Sequence, residues 1–361
     1  MEGVGMMTGK FDLDFYKNKK VLVTGHTGFK GTWLCKMLTN LGANVTGYAL
    51  EAPTNPSLFE LSRMVGDINS VRGDIRDYKS LKSVFDEIQP EIVFHLAAQP
   101  IVRRSYQNPM YTYETNVMGT VHVLECIRTT KSVKSFLNVT TDKVYLNREW
   151  PWPYRESDRM DGYDPYSNSK SCSELVTRCY QNSFFKGREI SVSTARAGNV
   201  IGGGDFAEDR IIPDCIRAVE QKKEILVRNP FSVRPYQHVL EALYAYLMIA
   251  AVQYEEPTCA GNYNIGPNDA DCLQTGELVE LFVRQWGEGA KWSSCCKDGP
   301  HEANFLRLDC SRIKSVFGWS PCWNIETAVK MVVEWSKCWM IGYDVRVCMD
   351  RQIEKYFDEV H

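Results

Sequence analysis

An α/β fold built on a doubly wound parallel sheet is predicted by three features of the sequence. Between about residues 20 and 200, short apolar runs alternate with helical patterns, the rhythm of βαβ units. A glycine-punctuated turn joins the first run to the first helix. Beyond about Gly198 the rhythm weakens into Gly- and Pro-punctuated pieces, which predicts a smaller, irregular C-terminal lobe over the strand ends.

The elements follow in order. A strand over residues 21–23 leads into the glycine turn, and a second over 44–48 follows the first helix. Asp77 is placed as the N-cap of a helix whose Leu81, Val84, Phe85 and Ile88 share one face. A strand over 92–96 comes next. Asn108-Pro109 then opens a helix carrying Val117, Val121 and Leu124, and a strand over 136–140 follows. A further helix follows Tyr166, and a strand covers 190–195. The expected organisation is an N-terminal extension over 1–18, a dinucleotide-binding domain over 19–198, and a mainly substrate-binding lobe over 199–361 from which some segments return to the first domain.

Composition narrows the function. Forty-two Lys and Arg against 45 Asp and Glu give a net charge of -3, so no global basic field points to nucleic acid or an anionic membrane. No apolar run fits a signal peptide or spans a bilayer, and a cytoplasmic location is expected. Thirteen cysteines, odd in number, scattered and without a C-x-x-C pair, read as free thiols. Cys295, Cys296 and His301 could be drawn as a metal fragment, but no second spaced pair accompanies them, and no metal is expected.

The chemistry begins at Gly25-His26-Thr27-Gly28-Phe29-Lys30-Gly31, between a strand and a helix. Glycines there permit a tight turn and a close backbone approach to a pyrophosphate, and the helix N-terminus supplies N–H donors. Without a ligand the same glycines would be a structural turn. Tyr166 and Lys170, four apart, share one helix face. A nearby ammonium favours phenolate, so the pair suits proton removal from a hydroxyl during hydride transfer; a surface helix pair is the plainer alternative. Asp142 and Lys143 add two titratable groups beside Thr141, at a strand end, where a solvated loop would also place charges.

The G-x-x-G-x-x-G spacing, with Tyr166 and Lys170, resembles the extended short-chain dehydrogenase/reductases, a Rossmann-fold family. The resemblance implies that Gly25, Thr27, Gly28, Phe29, Lys30 and Gly31 hold a dinucleotide, with Asp74 and Ile75 at the adenine and Leu96, Ala97 and Ala98 beside the nicotinamide ribose. It also implies a structural role for Asn116, and makes Thr141 the hydroxyl beside the reacting alcohol, with Thr140 one position off. Glu51 stands near the place of the ribose carboxylate, and no Arg occurs between Lys30 and Arg63, so NAD is expected rather than NADP.

Asp142-Lys143 turns the resemblance toward the nucleotide-sugar 4,6-dehydratases, because loss of water across C5 and C6 needs a second acid/base pair. Residues 25–31, 53–59, 196–205 and 234–239 look most like the members that act on CDP-glucose, while Lys143 replaces a glutamate found in members acting on dTDP-glucose or GDP-mannose. The implied reaction has three steps: Tyr166 takes the O4 proton as hydride leaves C4, water is lost with Asp142 as acid, and hydride returns to C6. An ammonium cannot accept a proton, so Lys143 is the C5 base only when neutral; otherwise it orients Asp142 or stabilises the enolate. Asn199, Arg210, Arg234, His301 and Arg307 are the expected substrate contacts, Arg234 and Asn199 at the diphosphate. A homodimer through the helices around Val117 and Leu175 is also implied. A nucleotide-sugar 4-epimerase, or a dinucleotide-sensing protein without turnover, would share much of this pattern.

Overall fold

The computed structural model describes residues 11–295 and 305–361. Seven strands form one parallel sheet: β1 (Lys20–Thr24), β2 (Asn44–Ala49), β3 (Asn69–Arg72), β4 (Ile92–His95), β5 (Ser135–Val139), β6 (Ser191–Ala197) and β7 (Asn262–Ile265). Their spatial order is β7-β6-β5-β4-β1-β2-β3. Thr24 pairs with Tyr48 on one side and His95 on the other, so β1 and β4 flank the point where the winding reverses. In open α/β sheets the crevice outside the strand ends at that point is where ligands sit.

Period-two alternation makes the sheet two-faced. Leu22, Val93 and Phe136 pack with Leu81, Phe85, Val123 and Ile127 on one side. Val21, Val23, Phe94 and Leu137 pack with Trp33, Leu34, Leu243 and Leu247 on the other. The helices on these faces are α1 (Phe29–Asn40), α2 (Tyr78–Ile88), α3 (Pro109–Tyr113), α4 (Gly119–Thr129) and α5 (Pro165–Tyr180). Asp77 caps α2 by accepting from the N–H groups of Lys79 and Ser80, Asn108 caps α3, and Asp164 caps α5.

The single helix expected after Asn108 is in fact α3, a π-helical turn over Glu114–Met118, and α4. Asn116 lies in that turn. Its amide accepts from Gln99 N–H at 2.8 Å and donates to Gln99 C=O at 3.1 Å and Ser169 Oγ at 2.9 Å, tying the loop after β4 to α5.

The described residues beyond 198 divide between two bodies. Helix α6 (Ile211–Glu220), helix α8 (Thr275–Trp286), helix α9 (Ile325–Met340) and three two-stranded pairs surround their own cluster of Ile212, Ile216, Ile225, Leu278, Phe282, Val329 and Val332. Helix α7 (Val239–Glu255) is instead buried against the main sheet through Leu240, Leu243 and Leu247, β7 extends that sheet's edge, and α10 (Val345–Val360) closes over the same cluster through Met349, Ile353 and Tyr356. The expected extension is also docked from residue 11 onward: Phe11 and Tyr16 are buried, and Tyr16 donates to the Leu247 carbonyl at 2.8 Å. Among the described residues, no helix is long and apolar enough to cross a membrane.

Candidate active site

The glycine turn is built to be approached closely. Gly25 has φ +78°, and a Cβ there would lie 2.7 Å from Ala97 N; a Cβ on Gly31 would lie 2.2 Å from Gly25 O. Only glycine leaves both spaces open. Gly28 is the N-cap of α1 and offers no side-chain acceptor, so no cap satisfies the first N–H groups of the helix. Thr27 donates to the Leu50 carbonyl at 3.0 Å, which pins the turn to the end of β2. Phe29 sits against Gly202, where a Cβ would come within 2.9 Å of its ring. Leu96 and Ala97 line the turn's other wall, Ala97 N donating to Thr24 Oγ1 at 3.3 Å, with Ala98 next in the loop. A cradle of this shape, with free helix N–H donors, fits a dinucleotide pyrophosphate.

Ile75 packs on Gly119 and the Asp74 carboxylate is held by Arg76 at 2.7 Å, while Tyr48 donates its hydroxyl to the Asp74 carbonyl. Glu51 is not as remote from arginine as its sequence neighbours suggest. Its carboxylate is exposed and lies 3.2 Å from Arg72 Nη2, so an arginine does stand beside it, supplied by β3 rather than by the neighbouring sequence.

Thr141 follows β5, and Tyr166 and Lys170 come from α5. The Tyr166 phenol is 9% exposed. Burial raises it to about 12, against the downward pull of a hydrogen bond with Thr141 and the charge of Arg210. From the sequence, the ammonium of Lys170 predicts a lowered phenol. In the structure burial outweighs the favourable charges, and the Lys170 ammonium donates to the Val139 carbonyl at 3.0 Å. Lys170 is itself lowered to about 8 by burial, with Glu174 acting the other way.

Asp142 is 1% exposed and sits within one 3₁₀ turn with Lys143. Its Oδ1 accepts from Thr141 Oγ1 at 3.0 Å and from Lys143 Nζ at 3.2 Å; its Oδ2 is buried without a hydrogen-bond partner. That oxygen faces Gly198, at 3.4 Å from the position a Cβ would take. Lys143 also donates to Asn199 Oδ1 at 3.2 Å. Lys30 is pushed down to about 7, first by burial and then by the positive charges of Arg210, Lys170 and Lys143, which places its amine among the same groups. Thr141, Asp142, Lys143, Tyr166 and Lys170 are therefore one constellation, and Lys30 of the glycine turn joins it.

Of the expected substrate contacts, Asn199 is brought to Lys143 and to Tyr236, and Arg234 lies beside Tyr236. Arg210 pairs with Asp205 at 3.0 Å close to Tyr166. Arg307 is half-buried near Cys272, its guanidinium over the Phe305 ring and its Nε unpartnered. His301 and Cys296 lie outside the described residues; among those described, no group of three or more His, Cys, Asp or Glu could hold a metal. Two residues of the site went unread in the sequence. Glu174 and Arg196 form a fully buried ion pair behind Thr140 at 2.9 Å. The one available signal was spacing, since Glu174 follows Lys170 by four and shares its helix face.

Comparison with known proteins gives the following. The model of a family described as GDP-mannose 4,6 dehydratase matches residues 22–332. A CDP-glucose 4,6-dehydratase from Salmonella typhimurium is 48% identical over 351 residues, covering 96% of this chain and 98% of that protein. Among solved structures, a UDP-glucose 4-epimerase from Thermotoga maritima superposes with a TM-score of 0.75 at 22% identity, covering 88% of this chain and 98% of the other. A dTDP-glucose 4,6-dehydratase from Bacillus anthracis, solved with NAD, gives 0.73 at 21%, covering 88% and 96%.

Proposed function

The chain belongs to the GDP-mannose 4,6-dehydratase family, and from that premise we propose that it converts CDP-glucose to CDP-4-keto-6-deoxyglucose, a hydro-lyase reaction that uses NAD without consuming it. The observation that carries this reading is the carboxylate of Asp142, buried beside Thr141 and Tyr166 with one oxygen unpartnered and Lys143 on the other. Oxidation at C4 alone needs Tyr166, Lys170 and Thr141. Elimination needs a second acid and base, and Asp142 with Lys143 fills that need.

Bound in the glycine cradle, with Asp74 and Ile75 at its adenine end and Leu96, Ala97 and Ala98 beside its nicotinamide ribose, NAD supplies a hydride acceptor at C4 and a donor at C6. The remaining work falls to the chain. Thr141 orients the 4-hydroxyl, and Tyr166 takes its proton once the positive nicotinamide ring of bound NAD offsets the burial that holds the phenol protonated. With the pair's shared proton on Asp142, so that Lys143 is a neutral amine and Asp142 a carboxylic acid, the new ketone acidifies C5–H, whose proton passes to Lys143 while Asp142 gives its proton to the departing 6-hydroxyl, releasing water and leaving the ammonium and carboxylate paired. Asn199 and Arg234 hold the diphosphate, with Arg210 and Arg307 as further contacts and His301 kept as a contact on resemblance alone. An epimerase would use Tyr166 and Thr141 in the same way, yet leave Asp142 Oδ2 and Lys143 without a task.

A homodimer in the cytoplasm belongs to the same reading. Met110, Met118 and Leu175 expose large apolar surface on α3, the π turn and α5, a face suited to a second copy. Leu175→Glu should then give a monomer in sedimentation. The deciding test of function is incubation with NAD and CDP-glucose, dTDP-glucose, UDP-glucose or GDP-mannose, with mass detection of water loss. CDP-glucose should be dehydrated far faster than the others, and a preference for any other nucleotide would sink the assignment.

A further inference from the structure

We propose that Glu174 is a positioning residue: locked to Arg196, it fixes Lys170 and Tyr166 against the Thr140-Thr141 strand end and ties both to the segment that carries Arg307. The inference rests on the catalytic pair assigned above and adds a residue that neither turns over substrate nor touches it.

The geometry is specific. Glu174 Oε1 accepts from Arg196 Nε at 2.9 Å and from Thr140 Oγ1 at 2.5 Å, and its Oε2 accepts from Arg196 Nη2 at 2.9 Å and Thr194 Oγ1 at 2.8 Å. Both acidic oxygens are thereby satisfied, in a pair with no solvent exposure to speak of. Thr140 precedes Thr141, so one carboxylate oxygen, through the Thr140 hydroxyl, anchors the residue next to the catalytic hydroxyl. Tyr166, Lys170 and Glu174 lie at successive four-residue steps of α5, so the same oxygen pair also holds that helix face.

Arg196 carries the link outward. Its Nη1 donates to Tyr145 Oη at 2.8 Å and to the Glu156 carbonyl at 3.0 Å, and its guanidinium covers the Tyr145 ring. Tyr145 donates to Asn264 Oδ1 at 2.6 Å. Asn264 Nδ2 in turn donates to the carbonyls of Tyr154 and Asp309, and Tyr154 N–H donates to the Arg307 carbonyl at 2.9 Å. The web therefore runs from the catalytic helix to the backbone of Arg307.

Stability is a weak reason for such a pair, because a buried ion pair often contributes no more than an apolar pair of the same volume. Electrostatics gives a better one. Lys170 is faced by Lys30 from α1 and by the neutral His95 of β4, with Asp142, Lys143 and Arg210 grouped around Lys30. Glu174 is the charge that favours the protonated form of Lys170.

The test compares Glu174→Gln and Thr140→Val in the full chain with NAD, using whichever nucleotide-glucose the unaltered protein dehydrates, so that failure of the CDP-glucose assignment is read separately. Glu174→Gln should lower kcat by about 10- to 100-fold, leave KM within about threefold, and move the alkaline limb of the kcat profile down by about one pH unit. Thr140→Val, which removes one hydrogen bond and leaves the ion pair intact, should lower kcat by about three- to tenfold with the limb unmoved. An unmoved limb in folded Glu174→Gln, or an unchanged kcat in Thr140→Val, overturns the proposal. Should Glu174→Gln fail to fold, Thr140→Val decides alone.

Discussion

Lys143 Nζ lies 3.2 Å from Oδ1 of Asp142, while Oδ2 of the same carboxylate is buried without a hydrogen-bond partner. One oxygen is thus oriented by its neighbour and the other left for a ligand. Removing the proton-donating carboxyl while keeping the shape should separate oxidation from elimination. Asp142→Asn is expected to slow water loss by about 100-fold while still allowing C4 oxidation, read as nicotinamide absorbance in a single turnover. Normal turnover in this variant would show that Asp142 is not the acid.

Tyr166 is buried and its phenol raised, so at neutral pH it holds its proton until the site is charged by its ligands. Phenylalanine at 166 removes the group altogether. Both nicotinamide reduction and product should fall by about 100- to 10,000-fold together in Tyr166→Phe, because the first step is lost. Reduction that survives without product would move the base elsewhere.

Lys143 is the point at which the acid/base pair departs from a carboxylate base. Lys143→Met keeps most of the apolar stem and deletes the amine that bridges Asp142 and Asn199. Hydride transfer from C4 should persist, while solvent-deuterium exchange at C5 and water loss should stop together. Exchange at the unaltered rate would leave Lys143 as an orienting group for Asp142.

Much of this site was legible in the sequence because its chemistry is local. The glycine turn, Tyr166 with Lys170, and Thr141-Asp142-Lys143 each lie within a few residues, and strand and helix periods place them. What stayed hidden depends on distant pairing. Strand β3 reads Asn-Ser-Val-Arg and β7 reads Asn-Tyr-Asn-Ile, too short and polar to announce themselves, yet β3 delivers Arg72 to Glu51 and β7 delivers Asn264 to Tyr145. The phenol's direction was also misjudged, since the depth of burial that outweighs a neighbouring charge is a property of the folded chain. Helix α7 is apolar on nearly all sides, so nothing in its pattern told that it packs against the main sheet rather than in the lobe.

Glu241, on that helix, gives a prediction about stability. Its carboxylate is fully buried and accepts from the N–H groups of Cys322 and Trp323 at 3.0 and 2.6 Å and from Tyr356 Oη at 2.7 Å, joining α7 to the chain's last helices. Burial is the largest influence and raises the carboxyl to about 7 despite those donors. The folded state therefore binds this proton more tightly than the unfolded chain, whose value is about 4.3. Between those two values the folded state holds more protons, so stability falls as pH rises. The contribution is fully present below about pH 4, and about 3 kcal/mol of it is lost by pH 7 and above. Glu241→Gln keeps an acceptor for the backbone donors and removes the titration. Thermal midpoints measured from pH 5 to 8 should fall more steeply in the unaltered protein than in Glu241→Gln. Parallel curves would mean that Glu241 is ionised throughout, its three donors outweighing burial.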